Sequence, residues 1–521
     1  MAQGPSLLPD EHSPMIRCIW PILPIFGSFC TALGLVDGIR LADRELDTVF
    51  RKAQRVCETD FFLTLETCVQ PLDDGSTYVI TGDIDAMWIR DSSATMIPYI
   101  SLASGALASG GEASRFRNLV EGVLRRQAQF IRTDPYANSY TKAYGSTTDD
   151  RLNRGAYVFT GNYEVDSGAY FFRLLERVMT SFPDAKLITE APIHGAAKIL
   201  VAMYRQERHH FNDSQYVYPK WEPYELPGPS GAGLPAGYTG MVWGAFRPSD
   251  DAEHFGYLIP SNLFLASTLP SIVEYARGKW NDEALAQDAE DLRASIVEGV
   301  HKFGTRIVNS KEVYCYEVDG LGGCRLMDDA NVPSLLSLPY LDPAMSVFKQ
   351  DIYRSTRELI LSSQNPWYFV GTAGKGIGSP HTGVDRIWPL SIIMEAITAS
   401  NPNERHDAIA LLMSLQVDNH GLTESFQKDN SSEITRAWFA WPDALFAELM
   451  ISLKRCAPNV STVTFPPSFP APRTGPLAQL PASVNFYNAD PTLLMREGVT
   501  LPEGFPGPTH TAAPTPADTV L

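Results

Sequence analysis

Apolar residues recur at helical spacing through most of the chain between residues 40 and 454. Over 40–63, Leu46, Val49, Phe50, Ala53 and Val56 fall at steps of three and four, which predicts a helix with one buried face. Phe116, Leu119, Val120, Val123, Leu124 and Ala128 repeat the pattern over 115–134. The same spacing predicts helices over 166–182, 189–207, 260–277, 283–303, 343–363, 387–400, 404–416 and 436–454. The loops between them are rich in Gly, Pro, Asn and Asp and longer than connectors need to be. The β-branched and aromatic runs Tyr78–Thr81 and Val313–Tyr316 predict small hairpin strands. No βαβ rhythm is present, which argues against a Rossmann or TIM fold. The expectation is a mainly α chain, a barrel of paired helices with its long loops gathered on one face to build a site.

Two stretches stand outside this pattern. Residues 16–36, IRCIWPILPIFGSFCTALGLV, are mostly apolar, but Pro21, Pro24 and Gly27 suit a membrane-crossing helix poorly. Read from Met15, the segment has the order of a signal peptide, with Arg17 before an apolar run that ends in small residues. The residues before Met15 do not fit that order, so residues 1–39 read as a signal, a mis-assigned start or an apolar segment packed on the domain. Compartment stays open between secretory and cytoplasmic. A catalytic domain is expected over 40–460. A Pro-rich tail follows over 461–521, its last part expected to be disordered.

Charge narrows the ligand class. The net charge is −18 and no basic stripe occurs, which argues against nucleic acid, since phosphate binding needs clustered Lys and Arg. No membrane partner is evident. An acidic surface is compatible with a neutral ligand. Seven cysteines show no CxxC spacing, so a zinc site is not expected. Cys57 with Cys68 and Cys315 with Cys324 are spaced for local bridges in an oxidising compartment; buried free thiols are the alternative. Sequons occur at Asn212, Asn430 and Asn459.

The candidate chemistry is concentrated in five segments. Residues 80–99, ITGDIDAMWIRDSSATMIPY, bring Asp83, Asp85, Trp88, Arg90 and Asp91 within nine positions. A flat ring that covers a C–H face, with carboxylates and a guanidinium that grip hydroxyls, suits a sugar. GMVWGAFRPSDDAEHFGYLIPSN (240–262), RLMDDANVPSLL (325–336), GIGSPHTGVDRIWP (376–389) and HGLTESFQKDNSSEITRAWFAWPD (420–443) share that style. Any one acid in such a segment reads equally as a helix cap or ion pair, but five segments together point to a polar, aromatic-lined cleft. Trp243, Trp388, Trp438 and Trp441 read first as core packing. Asp328, Asp329 and Asn331 were weighed as a calcium set and are read as hydroxyl binders instead. His209–His210 is expected at the surface. The run 228–240, GPSGAGLPAGYTG, lacks a following Lys-Ser/Thr and is expected to be a flexible rim or lid, not a phosphate cradle.

In their order, TGDIDAMWIRDSSA, FRPSDDA with YLIPSN, MDDANVPSLLSLPYL, GIGSPHTG and ESF with R-WFAW resemble the blocks of glycoside hydrolase family 125, the exo-α-1,6-mannosidases, over roughly residues 40–455. The resemblance implies an (α/α)6 helical barrel, inverting removal of terminal non-reducing α-1,6-linked mannose from oligosaccharides or N-glycans, and no metal or other cofactor. It implies that Glu424 is the general base and that one of Asp250 and Asp251 is the general acid, the choice left open. Asp83, Asp85, Trp88, Arg90, Asp91, Arg247 and His381 are implied to line the sugar. Inversion needs two carboxyl groups about 6.5–9.5 Å apart, with room for a water between. Two alternatives are carried. One is another helical-barrel α-glycosidase, including a calcium-dependent α-mannosidase, marked by loss of activity in chelator. The other is a non-catalytic carbohydrate-binding protein, marked by binding without release of sugar.

Overall fold

The computed structural model of the chain describes residues 44–104, 111–143, 157–218, 226–228, 231–415 and 421–456. Its long helices are α1 Arg44–Cys68, α2 Ile89–Ser104, α3 Gly111–Thr133, α4 Val165–Ser181, α5 Ala191–Glu207, α6 Ile259–Tyr275, α7 Glu283–Phe303, α8 Gln350–Ile360, α9 Pro389–Ile397, α10 Pro402–Ser414 and α11 Ala440–Ser452. Helix α2 packs on α4, α4 on α6, and α6 on the short turn Leu338–Leu341, while α9 packs on α11 and α11 returns to α2. These form the inner ring. Outside it, α1 lies on α11 and α10, α3 on α2 and α5, α7 on α6 and α5, and α10 on α9. Inner and outer helices alternate along the chain, as an (α/α)6 barrel requires.

Sequence separates the two layers. Outer α3 buries Phe116, Leu119, Val120, Val123, Leu124 and Ala128 on one face and exposes Ser114, Arg115 and Asn118 on the other. Inner α6, IPSNLFLASTLPSIVEY, is buried nearly all round. The outer helices α7 and α10 are capped, by Asp282 accepting the Leu285 N–H (3.1 Å) and Asn401 accepting the Glu404 N–H (3.0 Å). Inner helices α4, α6, α9 and α11 begin at Glu164, Leu258, Trp388 and Phe439, none of which caps with its side chain. Their open N–H groups therefore lie at one rim of the barrel. Short antiparallel sheets cover that rim. Met87–Trp88, Tyr257–Leu258 and Arg386–Ile387 each lead into an inner helix, with Trp88 opposite Ser139, Leu258 opposite Glu317 and Ile387 opposite Phe426.

The structure departs from the sequence reading at three places. Helix α2 begins inside the 80–99 motif and was not anticipated, because residues 89–100 are buried on every side and carry no amphipathic period; Pro98 weakens the signal further. The helix expected over 343–363 is only α8. Ahead of it Asp342 accepts the N–H groups of Ser346 and Val347, which turns the chain instead. Cys57 bonds Cys456, not Cys68. Cys57 and Cys68 share α1, where eleven residues rise about 16 Å, far beyond disulfide reach. Cys68 is free and buried, and Cys315–Cys324 is bridged as expected. The expectations for residues 1–39 and 461–521 lie outside the described residues. Among the described residues no helix is long and apolar enough to cross a membrane.

Candidate active site

The segment 246–252 turns tightly at the barrel rim. Phe246 pairs with Ala252, the Asp250 N–H donates to the Arg247 carbonyl (2.9 Å), and the Arg247 N–H donates to the Asp251 carbonyl (2.8 Å). Asp250 sits at φ 67°, a left-handed conformation that Asp and Asn tolerate best after Gly. The Arg247 side chain runs inward, buried, and Nε donates to Glu317 Oε1 (2.6 Å). Glu317 also accepts the His254 N–H (3.2 Å). A buried ion pair thus holds the turn from beneath.

Asp250 projects into a polar cluster. Its Oδ1 accepts from Asn138 Nδ2 (2.6 Å), Asn162 Nδ2 (3.0 Å) and Trp88 Nε1 (3.5 Å). Its Oδ2 lies 3.8 Å from Arg90. Arg90 is buried among four carboxyl groups: Glu164, Asp166 (3.2 Å), Asp91 (3.4 Å) and Asp250. Burial works against the Arg90 cation, but the surrounding carboxylates outweigh it and raise its pKa. Burial first, then neighbouring acids, pushes the carboxyls upward against the pull of Arg90. Glu164 lies well above the usual range, Asp166 reaches about 6 and Asp91 is raised. One guanidinium does not offset the burial of Glu164, Asp166 and Asp91 and the crowding of acids around it, so these three carboxyls hold a proton more tightly than free ones do. The Trp441 ring lies 5.7 Å from the Arg90 guanidinium and is buried.

Two further loops face the same space. His381 Nδ1 is 3.1 Å from Asp251 Oδ1. Burial opposes the imidazolium, but the Asp251 hydrogen bond and the charges of Asp251, Asp250 and Glu424 together lift His381 to about 9. Buried Glu424 lies 3.5 Å from Arg436, whose carbonyl accepts the Glu424 N–H (3.1 Å). Arg436 also binds Asp83 (2.7 Å) and Thr81 Oγ1 (3.2 Å) and packs on Phe439. The loop bearing Asp83 reaches the Trp438–Phe439 backbone through Gly82, where a Cβ would meet the Trp438 oxygen at 2.4 Å. Asp91 is coupled to both Asp250 and Arg436. The 80–99, 240–262, 376–389 and 420–443 segments therefore converge on one cleft.

The other expectations distribute as follows. Asp85 is on an exposed turn, where its carbonyl accepts from Tyr78 (3.4 Å), apart from this network. Asp328 accepts the Leu335 and Leu336 N–H groups (2.8 and 2.9 Å), and burial carries it to about 8. Asp329 binds Asn331 and Ser379 (both 2.9 Å), which links the 325–336 and 376–389 loops. His210 is not at the surface. It is buried, stacked on Trp243 at 3.4 Å, with Glu207 at 2.7 Å and the Ala232 carbonyl at 3.1 Å. That pairing also fixes the glycine run, since a Cβ on Gly233 would lie 2.7 Å from the Trp243 ring. In its described part Gly231 and Gly233 pack closely, while Leu234, Pro235 and Tyr238 stand exposed. Asn138, Asn162, Glu164, Asp166 and Glu317 were not anticipated. The alternation Asn162, Glu164, Asp166 ahead of an apolar helix was the available signal.

A helical barrel whose rim gathers acids, arginine and aromatic rings is the architecture of a glycoside hydrolase, and the known proteins that it resembles agree. Glucoamylase from Saccharomycopsis fibuligera shares the fold (TM-score 0.52, 13% identity, 83% of this chain and 99% of that one). A metal-independent α-mannosidase of Streptococcus pneumoniae, solved in a non-productive substrate complex with α-1,6-mannobiose, is much nearer. It shows 30% identity and a TM-score of 0.70, covering 81% of this chain and all of that one. The meiotically up-regulated gene 157 protein of Schizosaccharomyces pombe is 34% identical over 413 residues, 74% of this chain and 78% of its own length. Residues 51–451 match the family described as metal-independent α-mannosidases, glycoside hydrolase family 125. The chain belongs to that family and is an α-mannosidase.

Proposed function

We propose that the chain is an inverting exo-α-1,6-mannosidase with Asp250 as general acid and Glu424 as general base. The observation that carries the assignment is the crowding of Asp250, Asp91, Glu164 and Asp166 around Arg90. Of these four, Asp250 opens most to the cleft, its side chain 20% exposed against 8% for Asp91 and none for the other two. Three neutral donors occupy its Oδ1, and its Oδ2 is left to carry a proton to the departing glycosidic oxygen. Asp251 instead faces the His381 cation, which suits it to positioning and to hydroxyl contacts.

Catalysis follows as a single displacement. Glu424 takes a proton from water as the water attacks the anomeric carbon, and Asp250 protonates the leaving oxygen on the opposite face. The oxocarbenium-like charge develops between carboxylates, which stabilise it. Asp91, its Oδ2 buried 3.4 Å from Arg90 Nε, is held by that ion pair beside the acid. The α-1,6 linkage rests on family membership and on the mannobiose bound by the pneumococcal relative. The natural substrate is a mannose-capped oligosaccharide or N-glycan. The disulfides Cys57–Cys456 and Cys315–Cys324 support passage through an oxidising compartment.

Proton NMR of α-1,6-mannobiose during early turnover, with and without chelator, tests this reading. β-Mannose is expected as the first product under both conditions. α-Mannose first would end the inverting assignment, loss of turnover in chelator would favour a metal-dependent barrel enzyme, and tight binding without release would leave only a carbohydrate-binding protein.

A further inference from the structure

We propose that Asn212 and Asn430 are N-glycosylated in this protein. The inference rests on the oxidising-compartment reading given above. Asn212-Asp213-Ser214 and Asn430-Ser431-Ser432 are sequons, and both asparagines are exposed. The third sequon, at Asn459, lies outside the described residues.

The surroundings of Asn212 make the stronger case. It sits in the short turn His210–Asp213, and its N–H donates to the His209 carbonyl at 2.9 Å. The His209 ring stacks on Tyr238 at 4.7 Å. Tyr238 is 57% exposed and Phe211, next to Asn212, is 45% exposed. Two large exposed rings thus stand near the sequon, Phe211 adjoining it in the chain and Tyr238 stacked on His209, three residues before Asn212. They sit on a fixed base, because the adjacent His210 is locked between Glu207, the Ala232 carbonyl and the Trp243 ring. Aromatic faces held rigidly beside an attachment point cover the C–H face of the first sugar, and that removes apolar surface from water. Asn430 begins the exposed strand Asn430–Thr435, the outer member of its sheet. Neither asparagine belongs to the catalytic network.

The donor would be a polyprenyl-diphosphate-linked oligosaccharide. The asparagine Nδ2 forms a bond to C1 of the first sugar, the C1–O bond to diphosphate breaks, and polyprenyl diphosphate leaves. The amide gives up one proton and no electrons change hands.

The test uses the full chain carrying N459Q, made in a eukaryotic secretory host. Mass spectrometry after N-glycosidase digestion should find aspartate at positions 212 and 430, and gel mobility should shift by two steps. N212Q and N430Q should each remove one step, with turnover of α-1,6-mannobiose unchanged. Alkylation of the unreduced, denatured protein separates the two readings. Blocked Cys57, Cys315, Cys324 and Cys456 with asparagine intact at both sites overturn the glycosylation and leave the oxidising reading standing. Reactive thiols at those four cysteines, with no glycan, overturn both.

Discussion

Replacing Asp250 with Asn isolates the proton from everything else that the residue does. Asn keeps the Oδ1 acceptor used by Trp88, Asn138 and Asn162, and it tolerates the left-handed backbone at φ 67°. It also removes one carboxyl from the four around Arg90, so the fold is not expected to suffer. What disappears is the acid. General acid catalysis contributes about 10²–10⁴-fold, or about 2.7–5.5 kcal/mol at 1.36 kcal/mol per tenfold. D250N should therefore lose that much kcat on α-1,6-mannobiose, whose leaving hydroxyl needs a proton. On an aryl α-mannoside with a dinitrophenolate leaving group, which departs without one, the loss should shrink to less than about tenfold. D251N disturbs the His381 contact and should slow both substrates alike. Steady-state kinetics of both variants on both substrates decide the matter. A leaving-group-dependent loss in D251N, with D250N near wild type, would refute the reasoning and move the acid to Asp251.

Other consequences can be checked separately. E424Q should abolish turnover on both substrates while sparing mannobiose binding by calorimetry; near wild-type rates would remove Glu424 as base. His381 binds its proton more tightly folded (about 9) than at its ordinary value of 6.5. The stability it adds is complete below about pH 6.5 and is lost as pH rises through 9. Melting profiles of wild type should fall across that window and those of H381Q should not; parallel profiles would discard the pairing. R247M leaves buried Glu317 with only the more distant Arg325 (3.7 Å) as a cation and should cost up to about 3–5 kcal/mol in denaturant unfolding, partly recovered by adding E317Q. A double variant C57A/C456A should lose about 2–5 kcal/mol, because its bridge closes 399 positions of chain, whereas C68A should change little.

Much of this architecture was legible in the chain. Outer helices such as α3 and α7 announce themselves because one face meets water and the other does not. Inner α2 was hidden for the opposite reason: a helix buried all round has no period to read. The cleft residues of the five motif segments were visible through their chemistry. Glu317 was not, because a lone acid in sequence says nothing about which arginine it will meet. Arg247 shows the same limit. Its partner, Glu317, comes seventy positions later and holds it beneath the turn. His210 looked like a surface residue because Glu207 and Trp243, which make its burial affordable, are partners that spacing alone does not reveal.

The bridge from Cys57 to Cys456 ties the first helix to the segment just after the last, with 6.2 Å between the two Cα atoms. The ring of described helices is therefore closed by a covalent bond as well as by the packing of α1 on α11. A single cut in a loop between them should leave the two pieces covalently joined until the bridge is reduced.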